Sequence, residues 1–432
     1  MSNAYKSTEL GVIPIDWDIV RFDSIAELRH GHQYRNYDFT DEGIKILKIT
    51  QIKSDETIDL SSCSFISGNR LEEFQKVVIN KGDILIALTG ATIGKIARFK
   101  SEELVLQNYR VGNFFPLKED VLYKDYFFHF LRSNLFYHQI ISRQTQSAQQ
   151  NIGKEEINNM LIFFPSFKEQ KAIASILTSF DDKIELLQAQ NETLETIAQT
   201  IFKEWFGKYQ VGDELPEGWR VGKLKEFIVE SIGGDYGKEV AIGDFTEETV
   251  CLRGTDLPDM KMGVPQKAPI RFLKKSKLEN CKLVNGDIVI EISGGTENQS
   301  TGRVAYINEE ILNNSKFPMT CVNFCRILRP KNVENSYFIY SLFEYLYNRK
   351  VLFNWENGTT GIKNLNLKAL LNVFNLVLPI SDHKISEFNK YAKSSFIKIQ
   401  SNNSQIQTRQ ATRDTLLPKL MSGKVRVDEF KE

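Results

Sequence analysis

The sequence predicts an α/β protein: two similar mixed α/β domains separated by two long antiparallel coiled-coil helices, with an internal pseudo-two-fold repeat. Three observations lead there. First, the chain is written twice. Ile13-Pro14-Ile15-Asp16-Trp17 returns as Leu215-Pro216-Glu217-Gly218-Trp219, and Lys81-Gly82-Asp83-Ile84-Leu85-Ile86 returns as Asn285-Gly286-Asp287-Ile288-Val289-Ile290. A shift of about 200 residues is far longer than a solenoid unit of 20–50. Second, each copy holds short apolar runs bounded by Gly and Asn, which is the pattern of strands and turns. Third, each copy closes on a long stretch with apolar residues three and four apart, which is a helical seam.

The elements follow in order. In the first copy, strands are predicted at Ile44–Ile49, Ile84–Leu88, Ile96–Phe99 and Leu161–Phe164, and a helix from Tyr123 to Ile141. The second copy repeats the order, with strands at Ile288–Ile292 and Val304–Ile307, a helix from Ser336 to Leu352, and a strand at Val373–Leu378. The first seam is Phe180, Ile184, Leu187, Asn191, Leu194, Ala198, Ile201 and Trp205. The second, more polar, is Phe396, Ile399, Asn403, Ile406, Gln410, Arg413, Leu417 and Leu420. Each seam holds an Asn, the kind of polar core residue that fixes register. A half-exposed helix face is the alternative reading of either seam. About 38 helical residues reach roughly 57 Å, so such helices, pairing with each other or with another chain, act as a ruler. The expected domains are 1–163, 164–212 (helix), 213–378 and 379–432 (helix).

Composition excludes several classes. Hydrophobic content is 41% and charged content 25%, as in globular proteins. No stretch approaches the ~20 apolar residues that span a bilayer, and no secretory leader is expected. Five cysteines (Cys63, Cys251, Cys281, Cys321, Cys325) form no disulfide or zinc pattern and are expected as reduced thiols in a cytosolic protein. Net charge is zero, which counts against free-standing nucleic-acid binding. Lys76, Lys81, Lys95, Arg98, Lys100 and Arg110 nevertheless crowd one window against three acidic residues, so a local basic face is expected.

Catalytic motifs are missing. Gly90-Ala91-Thr92-Ile93-Gly94-Lys95-Ile96 has three residues between its glycines and Ile after the Lys, so it is not a P-loop. The five histidines show no metal spacing; His30 and His32 flank Gly31 in a polar loop suited to a surface or DNA contact. Polar loops remain. Thr89, Gly90, Thr92 and Lys95 follow one strand; Ser293, Thr296, Asn298, Gln299 and Arg303 follow its counterpart. Glycines allow close backbone approach, and hydroxyls, amides and cations bond to phosphates or base edges. Arg110 adds a further cation. A second cluster, with Gln144, Gln146, Gln149 and Gln150, corresponds to one with Thr359, Thr360 and Lys363. Gln and Asn can read adenine bidentately. Flexible surface loops are the alternative. Recurrence with different side chains favours two readers of one design.

These residues together resemble the specificity subunit of a type I restriction–modification enzyme. The resemblance rests on the two Pro–Trp openings, on Gly82-Asp83-Ile84 with Gly90 and Gly286-Asp287-Ile288 with Gly294, and on Pro165 followed by Glu169-Gln170-Lys171-Ala172-Ile173 and Phe202-Lys203-Glu204-Trp205-Phe206. It rests also on Leu416-Leu417-Pro418-Lys419-Leu420-Met421-Ser422-Gly423. The second half departs from the pattern, with Asp382-His383-Lys384 where Glu-Gln is usual. The resemblance implies a non-catalytic, cytoplasmic subunit with two target recognition domains, each binding half of a bipartite, asymmetric sequence in double-stranded DNA. It implies helices, through Ile184, Leu187, Asn191, Leu194, Ile201, Trp205, Phe396, Ile399, Asn403, Ile406, Leu417 and Leu420, that set the spacing and dock two modification subunits. S-adenosylmethionine for adenine methylation would belong to those subunits, ATP and Mg to separate restriction subunits, and no cofactor, metal or membrane to this chain. Alternatives are the specificity subunit of a two-component enzyme cutting both sides of its site, a coiled-coil assembly scaffold, and an enzyme with an unrecognised hydrolytic site.

Overall fold

The computed structural model describes residues 5–143, 151–263, 265, 267–296, 298–358 and 362–427. They fall into two compact units, Met1–Lys183 with Arg409–Glu432, and Ile184–Thr408.

In the first unit the central strand is Ile84–Ala87, and all four of its residues are buried. A strand turns alternate side chains to opposite faces, so an unbroken apolar run must be covered on both. Ile84 and Ile86 meet Phe127, Phe130 and Phe136, which come from two helices, Lys124–Leu131 and Asn134–Arg143. Leu85 and Ala87 meet Leu47 and Val105 of a second sheet. The central sheet is antiparallel, in spatial order Ile96–Arg98, Ile84–Ala87, Val111–Pro116 and Ala26–His30. In the second sheet Val105–Gln107 runs parallel to Ile44–Leu47.

The second unit repeats the plan. Its antiparallel sheet has the order Val304–Tyr306, Ile288–Glu291, Cys325–Pro330 and Ile228–Gly233. Ile288 and Ile290 face Phe338 and Phe343 of the helix Ser336–Asn348. Val289 faces a smaller sheet in which Met319–Cys321 runs parallel to Phe245–Leu252.

Three expected elements differ in detail. The helix expected from Tyr123 to Ile141 is two, because Ser133 accepts the Phe136 N–H at 3.4 Å and starts a new helix after Arg132. The helix from Ser336 stops at Asn348, short of Leu352, and Lys350 adopts φ +60°. The strand expected from Val373 begins at Asn375, since Leu367–Val373 is a helix capped by Asn366, which accepts the Ala369 N–H at 3.1 Å.

The long helices run Phe167–Phe206 (40 residues) and His383–Met421 (39 residues). Within the second unit they pair antiparallel: Phe202 meets Phe388, while Ile184 and Leu187 meet Ile406. Between these contacts Asn191 donates to the Asn403 side chain at 2.7 Å, and Asn402 donates to Gln190 and Asn191 at 2.8 Å. These amides find one another in this register, with only Asn402 Oδ1 of the layer left without a partner among the described residues, and would lose these bonds in a slipped one. Within the first unit Asp181 takes hydrogen bonds from Arg413 at 2.7 Å and Arg132 at 2.6 Å. Burial opposes ionisation of Asp181, but Arg132 and then Arg413 hold its carboxyl below the usual range.

The first Pro–Trp opening also finds a physical role. Trp17 is fully buried and donates to Glu169 at 2.9 Å, and Arg426 bonds both Asp16 and Glu169. Gly423, at φ +67°, sits where any side chain would strike Pro14 and Trp17. Gln170, fully buried, takes the Tyr123 N–H at 2.9 Å and so anchors the long helix to the helix beginning at Lys124. In the second unit Asn389 takes the Phe338 N–H at 2.8 Å, one turn past the position where Lys384 stands in place of Gln. The second helix therefore packs despite its altered opening, burying Ile385, Phe388, Ala392 and Phe396.

Candidate nucleic-acid interface

In the first unit the central strand Ile84–Ala87 delivers the chain to a tight loop. Gly90 and Gly94 have φ +72° and +79°, a left-handed backbone that favours glycine. Ala87 N–H donates to the Lys95 carbonyl at 3.0 Å, closing the loop. Leu88 then joins two other segments. Its N–H donates to the Arg110 carbonyl at 3.0 Å, and its carbonyl accepts the Ile152 N–H at 3.1 Å. Thr89 pairs with Asn151. The glycine loop and the end of the glutamine-rich segment, far apart in sequence, are thus neighbours. Gln144, Gln146, Gln149 and Gln150 lie outside the described residues.

The loop from His30 to Tyr37 joins the same edge. His32 N–H donates to the Gln107 carbonyl and Tyr109 N–H to the His32 carbonyl, each at 2.9 Å. Gly31 lies so close to Gln107 that a side chain there would collide with its carbonyl. Tyr37 is 84% exposed. Arg110 donates to its neighbour Tyr109 at 2.6 Å, and neither Arg110 nor Lys95 has an ion pair among the described residues. Other cations of this window are spent internally: Lys81 pairs with Glu102 and Arg98 with Asp125. The basic face expected from the sequence is therefore narrower than the count of lysines and arginines suggested.

The second unit carries the same backbone bonds. Glu291 N–H donates to the Arg303 carbonyl at 2.9 Å, Ile292 N–H to the Phe324 carbonyl at 2.8 Å, and Leu365 N–H to the Ile292 carbonyl at 2.8 Å. Asp235 N–H donates to the Cys321 carbonyl at 2.8 Å, as His32 does to Gln107. Ser293–Gly294 pairs with Lys363–Leu365. By this register Glu291 stands where Ala87 stands, Arg303 where Lys95 stands, and Phe324 where Arg110 stands.

The side chains differ. Glu291 is 3% exposed and binds Arg303 through two bonds of 2.8 and 2.6 Å. Those bonds outweigh burial in holding the Arg303 charge. Lys363 lies 3.2 Å from Glu356, which also accepts the N–H and hydroxyl of Thr301 at 2.6 and 2.9 Å. Arg303 and Lys363, expected as free cations, are thus each held by a carboxylate of their own unit. Thr296 and Gln299 close a turn, with Gln299 N–H donating to the Thr296 hydroxyl at 3.1 Å; Asn298 is exposed beside them. Thr359 and Thr360 lie outside the described residues. Thr89 is buried, while Thr92 and Ser293 are half-buried on the loops.

Residues 14–196 match the family of the type I restriction modification DNA specificity domain. The MjaIX type I specificity subunit of Methanocaldococcus jannaschii is 26% identical over 99% of this chain and 97% of its own. The chain is thus similar, along nearly its whole length, to type I specificity subunits. The EcoKI specificity subunit of Escherichia coli K12 is 22% identical over 96% of this chain and 90% of its own. Among solved structures, the S subunit of a type I system from M. genitalium has the same fold, with TM-score 0.59 at 18% identity, covering 94% of this chain and 96% of that one.

The seam residues sit as follows. Ile184, Leu187 and Ile406 form one apolar cluster, and Asn191 bonds Asn403. Phe396 belongs to the core of the second unit, with Ile201 and Trp205 packed against it, and Ile399 is buried. Leu194 is half-buried. Leu417 and Leu420 pack into the core of the first unit. Sequence reasoning did not name Glu291, Glu356 and Phe324, which the structure bonds to the expected loops, and gave His30 and His32 without the rest of their loop. The repeat was the signal that could have found Phe324, had it been aligned by backbone bonds rather than by motif. No described helix is long and apolar enough to cross a membrane, and the described cysteines are unpaired.

Proposed function

We propose that this chain is the DNA-specificity subunit of a type I restriction–modification complex, with each loop surface reading one half of a bipartite, asymmetric target. The observation that carries this reading is the shared set of backbone bonds that places two loop surfaces of different chemistry on two copies of one fold, in a chain similar to type I specificity subunits. Base-edge contacts would come from the loop hydroxyls and amides, and phosphate contacts from cations such as Lys95. The paired helices would set the spacing and dock two modification subunits, and restriction subunits would join through that complex. On this reading the chain itself is non-catalytic and works in the cytoplasm. S-adenosylmethionine would be held by the modification subunits, for adenine methylation, and ATP with Mg by the restriction subunits.

The test is the methylated motif in host genomic DNA, read by modification-sensitive sequencing with and without this chain. The expected motif has two unlike halves separated by unread bases, with half-site centres about one helical turn (~34 Å) apart. A continuous palindromic motif dependent on this chain would contradict the proposal.

A further inference from the structure

The backbone register pairs Phe324 with Arg110, yet the two side chains share no chemistry. We propose that Phe324 is a specificity-determining residue of the second reading surface, and that it reads a thymine through apolar contact with the C5-methyl group. This rests on the DNA-specificity reading above.

Three features of the second unit point the same way. Phe324 is 57% exposed, on the turn between Met319–Cys321 and Cys325–Pro330. A single exposed aromatic is ordinary, but the backbone of this one is bonded into the loop surface. Its carbonyl accepts the N–H groups of Ile292 at 2.8 Å and Ser293 at 3.2 Å, at the root of the glycine loop, and Ile292 in turn binds the segment Lys363–Leu365. The ring has no aromatic partner among the described residues.

The second feature is charge. The two cations flanking this position, Arg303 and Lys363, are bound by Glu291 and Glu356. Glu291 replaces Ala87 of the first unit, so the neutralising carboxylate is particular to the second. The third is contrast with the first unit, where Arg110 has the equivalent place and no carboxylate partner among the described residues. A guanidinium without a carboxylate partner suits guanine O6 and N7. A ring in a neutralised surround suits the one base edge that carries a methyl group in the major groove.

The experiment uses the full chain assembled with its modification subunits. Duplexes carry the target, with each thymine of each half-site replaced in turn by deoxyuridine, which removes only the methyl group. Affinities are measured for the native chain, Phe324→Ala and Phe324→Leu. Because Phe324 is exposed, neither variant disturbs a core.

The expected result is one second-half thymine whose replacement weakens native binding about fourfold, the worth of one methylene-sized group leaving water (~0.8 kcal/mol). Phe324→Ala should bind the thymine and deoxyuridine duplexes equally, Phe324→Leu should keep part of the difference, and first-half responses should be the same in all three proteins. No sensitive second-half thymine in the native chain, or a sensitivity that survives Phe324→Ala, would overturn the inference. A duplex with the whole second half randomised separates the two levels. If it binds poorly while Phe324→Ala keeps methyl sensitivity, the assignment of Phe324 is wrong and the function stands. If it binds as well as the native target, the function itself is contradicted, and the inference with it.

Discussion

The two proposed reading surfaces have one backbone and different electrostatics. In the first, Lys95 and Arg110 have no ion pair among the described residues, and the strand behind them ends in Ala87. In the second, the matching strand ends in buried Glu291, which binds Arg303, and Phe324 takes the place of Arg110. The hydrogen bonds that close each loop and bind it to its neighbours belong to the main chain, so side chains at the tip can change without cost to the fold. The comparison teaches that a duplicated scaffold can carry two surfaces of different chemistry by substituting a few residues at the ends of its central strands.

The largest expected effect concerns what the surfaces share. Leu187→Asp puts an unpaired charge among Ile184 and Ile406, where burial is costly. Helix pairing should fail and docking of modification subunits should be lost, while the first reading domain stays folded. Hydrogen exchange and size-exclusion chromatography of the reconstituted complex would check this, and normal assembly would show that the seam is not an interface.

Next is the Glu291–Arg303 pair. Glu291→Ala strands a largely buried guanidinium, and a broken buried pair costs about 3–5 kcal/mol at full burial. Arg303 has a side chain 18% exposed, so a loss near the lower end, about 3 kcal/mol, is expected in denaturant unfolding of the second unit. Recognition of the second half-site should fall with it and the first be spared. Equal effects on both halves would break the comparison.

A smaller effect separates the two cations. Lys95→Ala should weaken DNA binding by the complex across sequences and make the salt slope shallower by about one unit. Arg303→Ala should leave the slope unchanged and act through stability, by leaving Glu291 unpaired. Equal slope changes would mean that Arg303 leaves Glu291 to meet phosphate.

The smallest is an acid sensitivity confined to the first unit. Burial, and then Arg132, push the His129 imidazole down to about 3. An unfolded histidine titrates near 6.5, so the fold favours the neutral ring. The contribution is present above pH 6.5 and is lost as pH falls toward 3, amounting to about 2 kcal/mol by pH 5. His129→Gln should flatten the stability of the first unit between pH 6.5 and 5. An unchanged slope would place the acid sensitivity elsewhere.

Much of the fold was legible because local signals agreed. Ile84-Leu85-Ile86-Ala87 is bounded by Gly-Asp and Thr-Gly turn signals, too short for a helix, and is a strand; that it is covered on both faces comes from the structure. Each seam carries one Asn expected to fix register, and Asn191 meets Asn403. The break after Arg132 was hidden because apolar spacing continues on both sides of it. Leu367–Val373 was read in part as strand because short Leu- and Val-rich runs suit either state. The site was less legible, for a tertiary reason. A glutamate ending a strand reads as solvent-facing, and only the return of the chain at Arg303 buries it. A lone Phe324 in a turn has no local pattern at all.

The account rests on two readers that work independently on one backbone plan, and a loop graft tests this most directly. Residues Ala87–Lys95 would be replaced by the sequence of Glu291–Arg303, so that the transplanted arginine brings its carboxylate and the closing backbone bond is kept. Methylated motifs would be read from cells carrying the graft and from cells carrying the native chain, each with the modification subunit. The predicted result is a motif in which the first half is altered or degenerate, while the second half and the spacer are unchanged. A graft that shifts both halves, or alters the spacing between them, would contradict the account.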